Sequence, residues 1–347
     1  MTVRAFPPPP VPLPPLLVVG GRQRADAHFQ DEWHQYREGR ILRLDPVSGE
    51  VETVVRYTSP PEACPPTAPS VVFKSATLSG DHLYVCTQTE VLIYRLPGFE
   101  RVGYLTLPFF NDLHHVRPRA SGSLLVAVTG LDLVAEIDHG GELLAAWSTV
   151  GEADPWARFD RTVDYRRVAT TKPHRAHPNF VFEHGEEIWV SRFEQRDAVT
   201  LGESQGRIAI DVERPHDGFL RGHRAMFSTV DGHLVIADLQ RRSVERVVDL
   251  NRLSGEDRAL GWCRGVRPVD DDLVLVGFSR LRPSRIRENL RWVKHRMGKR
   301  ATAGDLPTRV ALYDLAAGRL LWQANLEEHG LNALFSIHGE GWDDLDG

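Results

Sequence analysis

One unit recurs along this chain at a period of about 40 to 50 residues, and a period of that length marks a supersecondary unit that cannot bury its apolar face alone. The unit is an inner strand, a turn, a second strand, a third strand ending near aspartate, a glycine turn and a fourth strand. One copy reads SVVFKSATL, GDHLYVCTQ, EVLIYRL and GFERVGYLTL; the next reads DLHHVRP, GSLLVAV, DLVAEID and GELLAAWST. A third begins HPNFVF and continues EEIWVSRF, with RIAIDV later. A fourth is HRAMFST, GHLVIAD and RSVERVVDL, and a fifth is WCRGVRP, DDLVLVGF and, beyond an insertion, RVALYDL and GRLLWQANL. Short strands punctuated by DG, SG, GG and AAG turns build antiparallel sheets with little helix.

The two ends supply a sixth unit. LNALFSIHG near the C-terminus has the inner-strand pattern without partners, while LLVVGG, GRILRLD and GEVETVVRY near the N-terminus are partners without an inner strand. Joining them clasps a ring. The expected fold is all-β: a six-bladed β-propeller closed by pairing N-terminal strands with a C-terminal inner strand, plus one helical insertion at about 281–307. A β-sandwich or a five- or seven-bladed ring is the competing architecture. Residues 1–15, of which seven of the nine from Pro7 to Pro15 are proline, form an extended arm, and 16–347 a single propeller domain.

Composition narrows the function classes. The formal charge of -5 excludes a globally basic nucleic-acid binder. No apolar run is long enough for a membrane helix, and the proline-rich start lacks a signal peptide's apolar segment. Three widely spaced cysteines, Cys64, Cys86 and Cys263, fit a reducing cytoplasm better than a disulfide framework. The expectation is a cytoplasmic protein without nucleic-acid or membrane partners, its oligomeric state open.

In such a ring the innermost strands line a central channel, and their polar residues are the informative ones. In ring order these are Asn332, Lys74, His114 or His115, His177 with Asn179, His223, and Cys263 with Arg264. Several imidazoles converging on an axis make a nitrogen site for iron, copper or zinc. His115, His177 and His223, with His114 as the alternative to His115, are the expected metal ligands. Lys74, Asn179, Arg264 and Asn332 are the expected catalytic groups. Asp112, Asp164, Asp217 and Glu213 lie in nearby loops, where they would partner ligand imidazoles. Cys263 reads either as an activated thiolate beside Arg264 or as core.

The segments HHVRPRASGSLLVAVTGLDLVAEIDHGGELLAAW and HPNFVFEHGEEIWVSRFEQRDAV resemble bacterial arylsulfate sulfotransferases, a six-bladed propeller family. The likeness covers two blades of six. It rests on a His-led strand before a "G-x-LLV … D-x-V-x-E-ID … G" blade and on an H-x-N strand before an "I-x-VS-x-R" strand. The resemblance implies a channel histidine acting as nucleophile, with neighbouring His and Arg holding a sulfuryl group, at His115, His177, Asn179 and Arg192.

The insertion between LVLVGFSR and RVALYDL reads as a helix from about Ser284 to Met297, with an apolar stripe at Ile286, Leu290, Val293 and Met297. From Arg280 to Arg309 it carries ten Lys or Arg against two acidic residues, leaving the rest of the chain near -13. Only Trp292 is aromatic there, so an anion-attracting lid with Arg280, Arg282 and Arg309 nearest the blade fits better than nucleic-acid binding. The loop STVGEADPWARFDRTVDYRRVATTKPHR is a second lid element or a subunit contact. The resulting expectation is a transition-metal enzyme on a small, anionic molecule; metal-free sulfuryl-type transfer and a non-catalytic protein-binding propeller are the alternatives.

Overall fold

In the computed structural model the chain is described over residues 6–25, 34–281 and 306–345. The described residues form six four-stranded antiparallel sheets and one short α-helix, Leu250–Ser254. Blade I runs from the inner strand Ala333–Gly339 outward through Leu16–Gln23 and Tyr36–Leu44 to Val51–Tyr57. Blades II to VI begin on the inner strands Ala76–Ser79, Leu113–Pro118, Pro178–His184, Pro215–Arg221 and Trp262–Pro268, and each inner strand contacts the next around the ring. The six-bladed propeller expected from the repeats is therefore the observed fold. The expected helix 284–297 lies outside the described residues. No helix among the described residues is long and apolar enough to cross a membrane.

The strands are nearly continuously apolar because each blade is sandwiched between two others. Successive side chains point to opposite faces. Leu16 and Val18 pack against blade VI residues Leu275, Val310 and Leu312, whereas Leu17 and Val19 pack against blade II residues Leu78, Leu83 and Val85. The same division repeats at the other blade interfaces. Phe182 and Trp189 meet Phe227 and Val235 between blades IV and V, and Leu125 and Val134 meet Val181 and Val190 between III and IV.

Ring closure pairs the chain's two ends from Leu16 with Gly339 to Gly21 with Ala333, with a register shift between Val19 and Gly20. Gly20 permits it, since a Cβ there would lie 1.8 Å from the Ala333 carbonyl oxygen. The proline arm packs on blade VI: Phe6 meets Trp322 edge-on at 5.5 Å, and Trp322 Nε1 donates to the Pro7 carbonyl at 2.6 Å.

Beyond Gly339 the chain folds back into the axis. The buried Asp344 carboxylate accepts from the Leu78 N–H at 2.7 Å and from His338 Nδ1 at 2.7 Å, and is ion-paired to Arg267. Arg117 donates to the Asp344 carbonyl at 3.3 Å. This tail occupies one end of the channel.

The fourth blade unit begins one strand earlier than its sequence pattern indicates. Its inner strand is Pro215–Arg221, and RAMFST is the second strand. Gly222 (φ +57°) and His223 form the two-residue hairpin turn between Arg221 and Arg224.

Candidate metal and substrate site

At the end of the channel away from the Asp344 tail lies a cavity of about 560 Å³, a size suited to a small molecule. Blades II, III, IV, V and VI contribute Lys74, Asp112 with His114, His177, His216, and Trp262 with Arg264. Phe335 of blade I and the loop residues Val168–His174 complete its wall.

Asp112 and His177 each precede or open an inner strand with left-handed backbone, φ +48° and +54°. Such conformations are costly outside glycine, although Asp and His tolerate them better than most residues. A buried carboxylate holds the His177 segment in place: Asp132 accepts the N–H groups of Arg175, Ala176 and His177 at 2.7, 2.9 and 2.9 Å, and Arg158 Nη1 at 2.5 Å. Asn111 Nδ2 donates to the Tyr165 and Val168 carbonyls, each at 2.8 Å, which pins the long loop before His174 to blade III.

The imidazoles form a row of edge-on and tilted ring contacts. His177 lies 4.7 Å from His114 and 5.0 Å from His174, His114 lies 5.8 Å from His216, and His216 lies 5.8 Å from Phe335. His174 Nδ1 and His177 Nδ1 are 2.8 Å apart. His114 Nδ1 donates to the Asp112 carbonyl at 2.8 Å; a carbonyl only accepts, so Nε2 keeps its lone pair. Ligand atoms of Asp112, His174 and His177 all lie within 4.8 Å of one another.

Burial sets the charge state of this group. It lowers the pKa of His174, His177 and His216, and His114 is pushed down to about 3 by burial and then by the Lys74 ammonium. These are neutral imidazoles at neutral pH, the ligating form. Burial alone raises the Asp112 carboxyl, but Lys74, 3.3 Å away, with His114, His174 and His177 outweighs it, and the pKa falls well below the usual range. Asp112 is a carboxylate.

Several sequence expectations need correction. His223 sits exposed in the Arg221–Arg224 turn, and His216 occupies the axial position of blade V. The PHDG run carries that signal, but Pro, Asp and Gly break the apolar alternation that marks a strand. His115 faces away from the cavity, and both its nitrogens are engaged. Nδ1 accepts from the Val181 N–H at 3.3 Å, and Nε2 donates at 3.2 Å to Thr77 Oγ1, whose own proton goes to the Val116 carbonyl. Neither nitrogen keeps a lone pair for a metal.

Among the expected catalytic groups, Lys74 and Arg264 line the cavity, whereas Asn179 and Asn332 do not. Asn179 donates to the Pro215 carbonyl at 3.0 Å, and Asn332 Oδ1 accepts from the Gln23 N–H at 3.0 Å. Arg192 forms a bidentate pair with Asp197 at 2.8 and 2.7 Å. Cys263 is buried in the core between blades V and VI, and burial raises its thiol pKa. Arg309 is buried over Phe278 and Arg280 pairs with Glu327 at 2.7 Å; neither lines the cavity, and Arg282 lies outside the described residues.

No protein-family model matches the chain, and no curated protein matches it. Solved structures do. A protein of unknown function from Bacteroides caccae aligns with a TM-score of 0.57 at 15% identity, covering 93% of this chain and 98% of that one. A chain of the nidogen/laminin complex aligns with a TM-score of 0.54 at 8% identity, covering 93% and 97%. At such identities the likeness is one of fold. Of the four positions matched to arylsulfate sulfotransferases, only His177 lines the cavity.

Proposed function

We propose that this chain is an enzyme that holds a transition metal ion, iron, copper or zinc, between Asp112, His174 and His177, and acts on a small molecule in the adjoining cavity. The observation that carries the reading is the convergence of one carboxylate and two neutral imidazoles within 4.8 Å of one another on the wall of a small-molecule-sized cavity. Two imidazoles and a carboxylate with further positions open are the donor set of mononuclear non-haem iron and of catalytic zinc sites. Such an ion polarises a bound oxygen or lowers the pKa of bound water. His114, whose ring lies 4.7 Å from that of His177, keeps a lone pair on Nε2 that can accept a hydrogen bond from substrate. Asp132 positions the ligand loop without touching the reacting atoms.

A second reading has its own support. The 2.8 Å contact between His174 and His177 is a hydrogen bond in which one imidazole raises the basicity of the other, which suits metal-free group transfer through a histidine. The three cysteines are all buried free thiols, which favours a cytoplasmic setting.

Elemental analysis of protein purified without an affinity tag separates the two. Near-stoichiometric iron, copper or zinc is expected in the wild type and in His223→Ala, and its loss in a folded His174→Ala, His177→Ala double variant. Failure of the wild type to hold any of the three metals after reconstitution sinks the metal reading.

A further inference from the structure

Lys74 and Arg264 reach the cavity from blades II and VI, on either side of the blade I inner strand that carries Phe335. Both cations face that ring, Lys74 Nζ 5.1 Å and Arg264 Cζ 4.3 Å from its centroid. Arg264 also lies 5.9 Å from the Trp262 ring. Both residues are buried, 9% and 7% exposed, so each cation has given up most of its hydration. A guanidinium beside aromatic rings offers an oxyanion planar, paired hydrogen bonds. The titratable groups facing this wall are Lys172, Asp112, Glu194 and the histidines, so cations outnumber carboxylates around the cavity.

From this wall the ring row runs Phe335, His216, His114, His177 toward the Asp112, His174, His177 set. The row is cationic at its Phe335 end and ligating at its His177 end, and Lys74, which also pairs with Asp112 at 3.3 Å, touches both.

We infer that the substrate is a small molecule bearing a terminal oxyanion, carboxylate or phosphoryl, which docks between Arg264 and Lys74 and directs the rest of the molecule past His216 and His114. The inference rests on reading this cavity as a substrate site, but the anion end does not require the metal. Arg264 supplies the geometry and Lys74 a second charge. Trp262 and Phe335 exclude water from the contact and strengthen it.

The test is calorimetric titration of the full chain, after chelator treatment, with malonate and with inorganic phosphate as probes. At least one probe is expected to bind the wild type, and whichever binds more tightly identifies the oxyanion as carboxylate or phosphoryl. Arg264→Gln should weaken that binding at least tenfold, with Arg264→Lys intermediate and metal content equal to the wild type. Lys74→Met is the second variant, should Arg264→Gln not fold. A His174→Ala, His177→Ala protein that keeps anion binding while losing metal supports the anion end independently. Absence of binding of either probe to the wild type, with metal present or removed, overturns the inference. So does unchanged binding in Arg264→Gln with a wild-type circular-dichroism melt.

Discussion

His174 and His177 share one proton across 2.8 Å between their Nδ1 atoms, closer than two nitrogens bound to a common tetrahedral ion, which stand roughly 3.4 Å apart for bonds of about 2.1 Å. A metal ion bound by both would therefore separate the pair. Titrating zinc into chelated protein should shift the imidazole 15N signals of these two residues together and leave His115 unmoved. Signals for the pair that ignore zinc would count against their acting as joint ligands.

The ligand loop depends on Asp132, which accepts three consecutive backbone N–H groups. In Asp132→Ala those donors and Arg158 lose their partner, at about 1–3 kcal/mol for each buried group left unsatisfied. Metal affinity should fall about 10–100-fold, the usual effect of removing a residue that orients a ligand. Metal-binding isotherms and urea midpoints read both; unchanged affinity in a destabilised variant would show that Asp132 serves the fold alone.

Asp217 carries a pH signature. Burial pushes its carboxyl up to about 7, against hydrogen bonds from the Gly218 N–H, from Ser75 and from the Val266 N–H. An acid whose folded value exceeds its unfolded value of about 3.9 favours the fold while protonated, so this contribution is complete below about pH 4 and lost as pH rises to about 7. The wild-type melting temperature should carry a downward component from pH 5 to pH 8 that Asp217→Asn lacks. Parallel melting profiles for the two proteins would refute the assignment.

The axial ion pairs predict a large effect. Asp344→Ala removes the carboxylate that pairs directly with buried Arg267, a loss that costs about 3–5 kcal/mol. Urea denaturation should show a loss of that size and proteolysis should release the tail; a change under about 1 kcal/mol, no more than a surface substitution produces, would contradict the described packing.

Trp189, fully buried between blades IV and V beside Phe182, tests the interblade core. Trp189→Ala should cost about 3–5 kcal/mol in equilibrium unfolding. A near-neutral result would mean that the interface is not packed as described.

The blades were legible because short, nearly continuous apolar runs alternate with turn residues, and because the unpaired strands at the two ends completed one another. The site was legible only in part. His114 and His115 are neighbours, and a period of two sends them to opposite sides, a choice that depends on register and not on residue type. His177 and Lys74 were found because they sit at strand entries. His216 was hidden by Pro215, Asp217 and Gly218, which disguise its strand. His174 adjoins the Arg175–His177 segment that Asp132 holds, and those hydrogen bonds across 43 to 45 residues leave no local pattern.

The inner strand Ala333–Gly339 also sets when blade I can close during synthesis. Until residues 333 to 344 have emerged, blade I lacks its inner strand, and Val18 and Val19 lack the pairing that buries their backbone. Five blades can stack before then as an open arc with an uncovered apolar face at each end, and Leu16–Gln23 keeps one unpaired strand edge. A nascent arc of this kind is a template for pairing with another copy of itself, so the stretch that corks the channel also governs the interval in which the protein is exposed to misassembly.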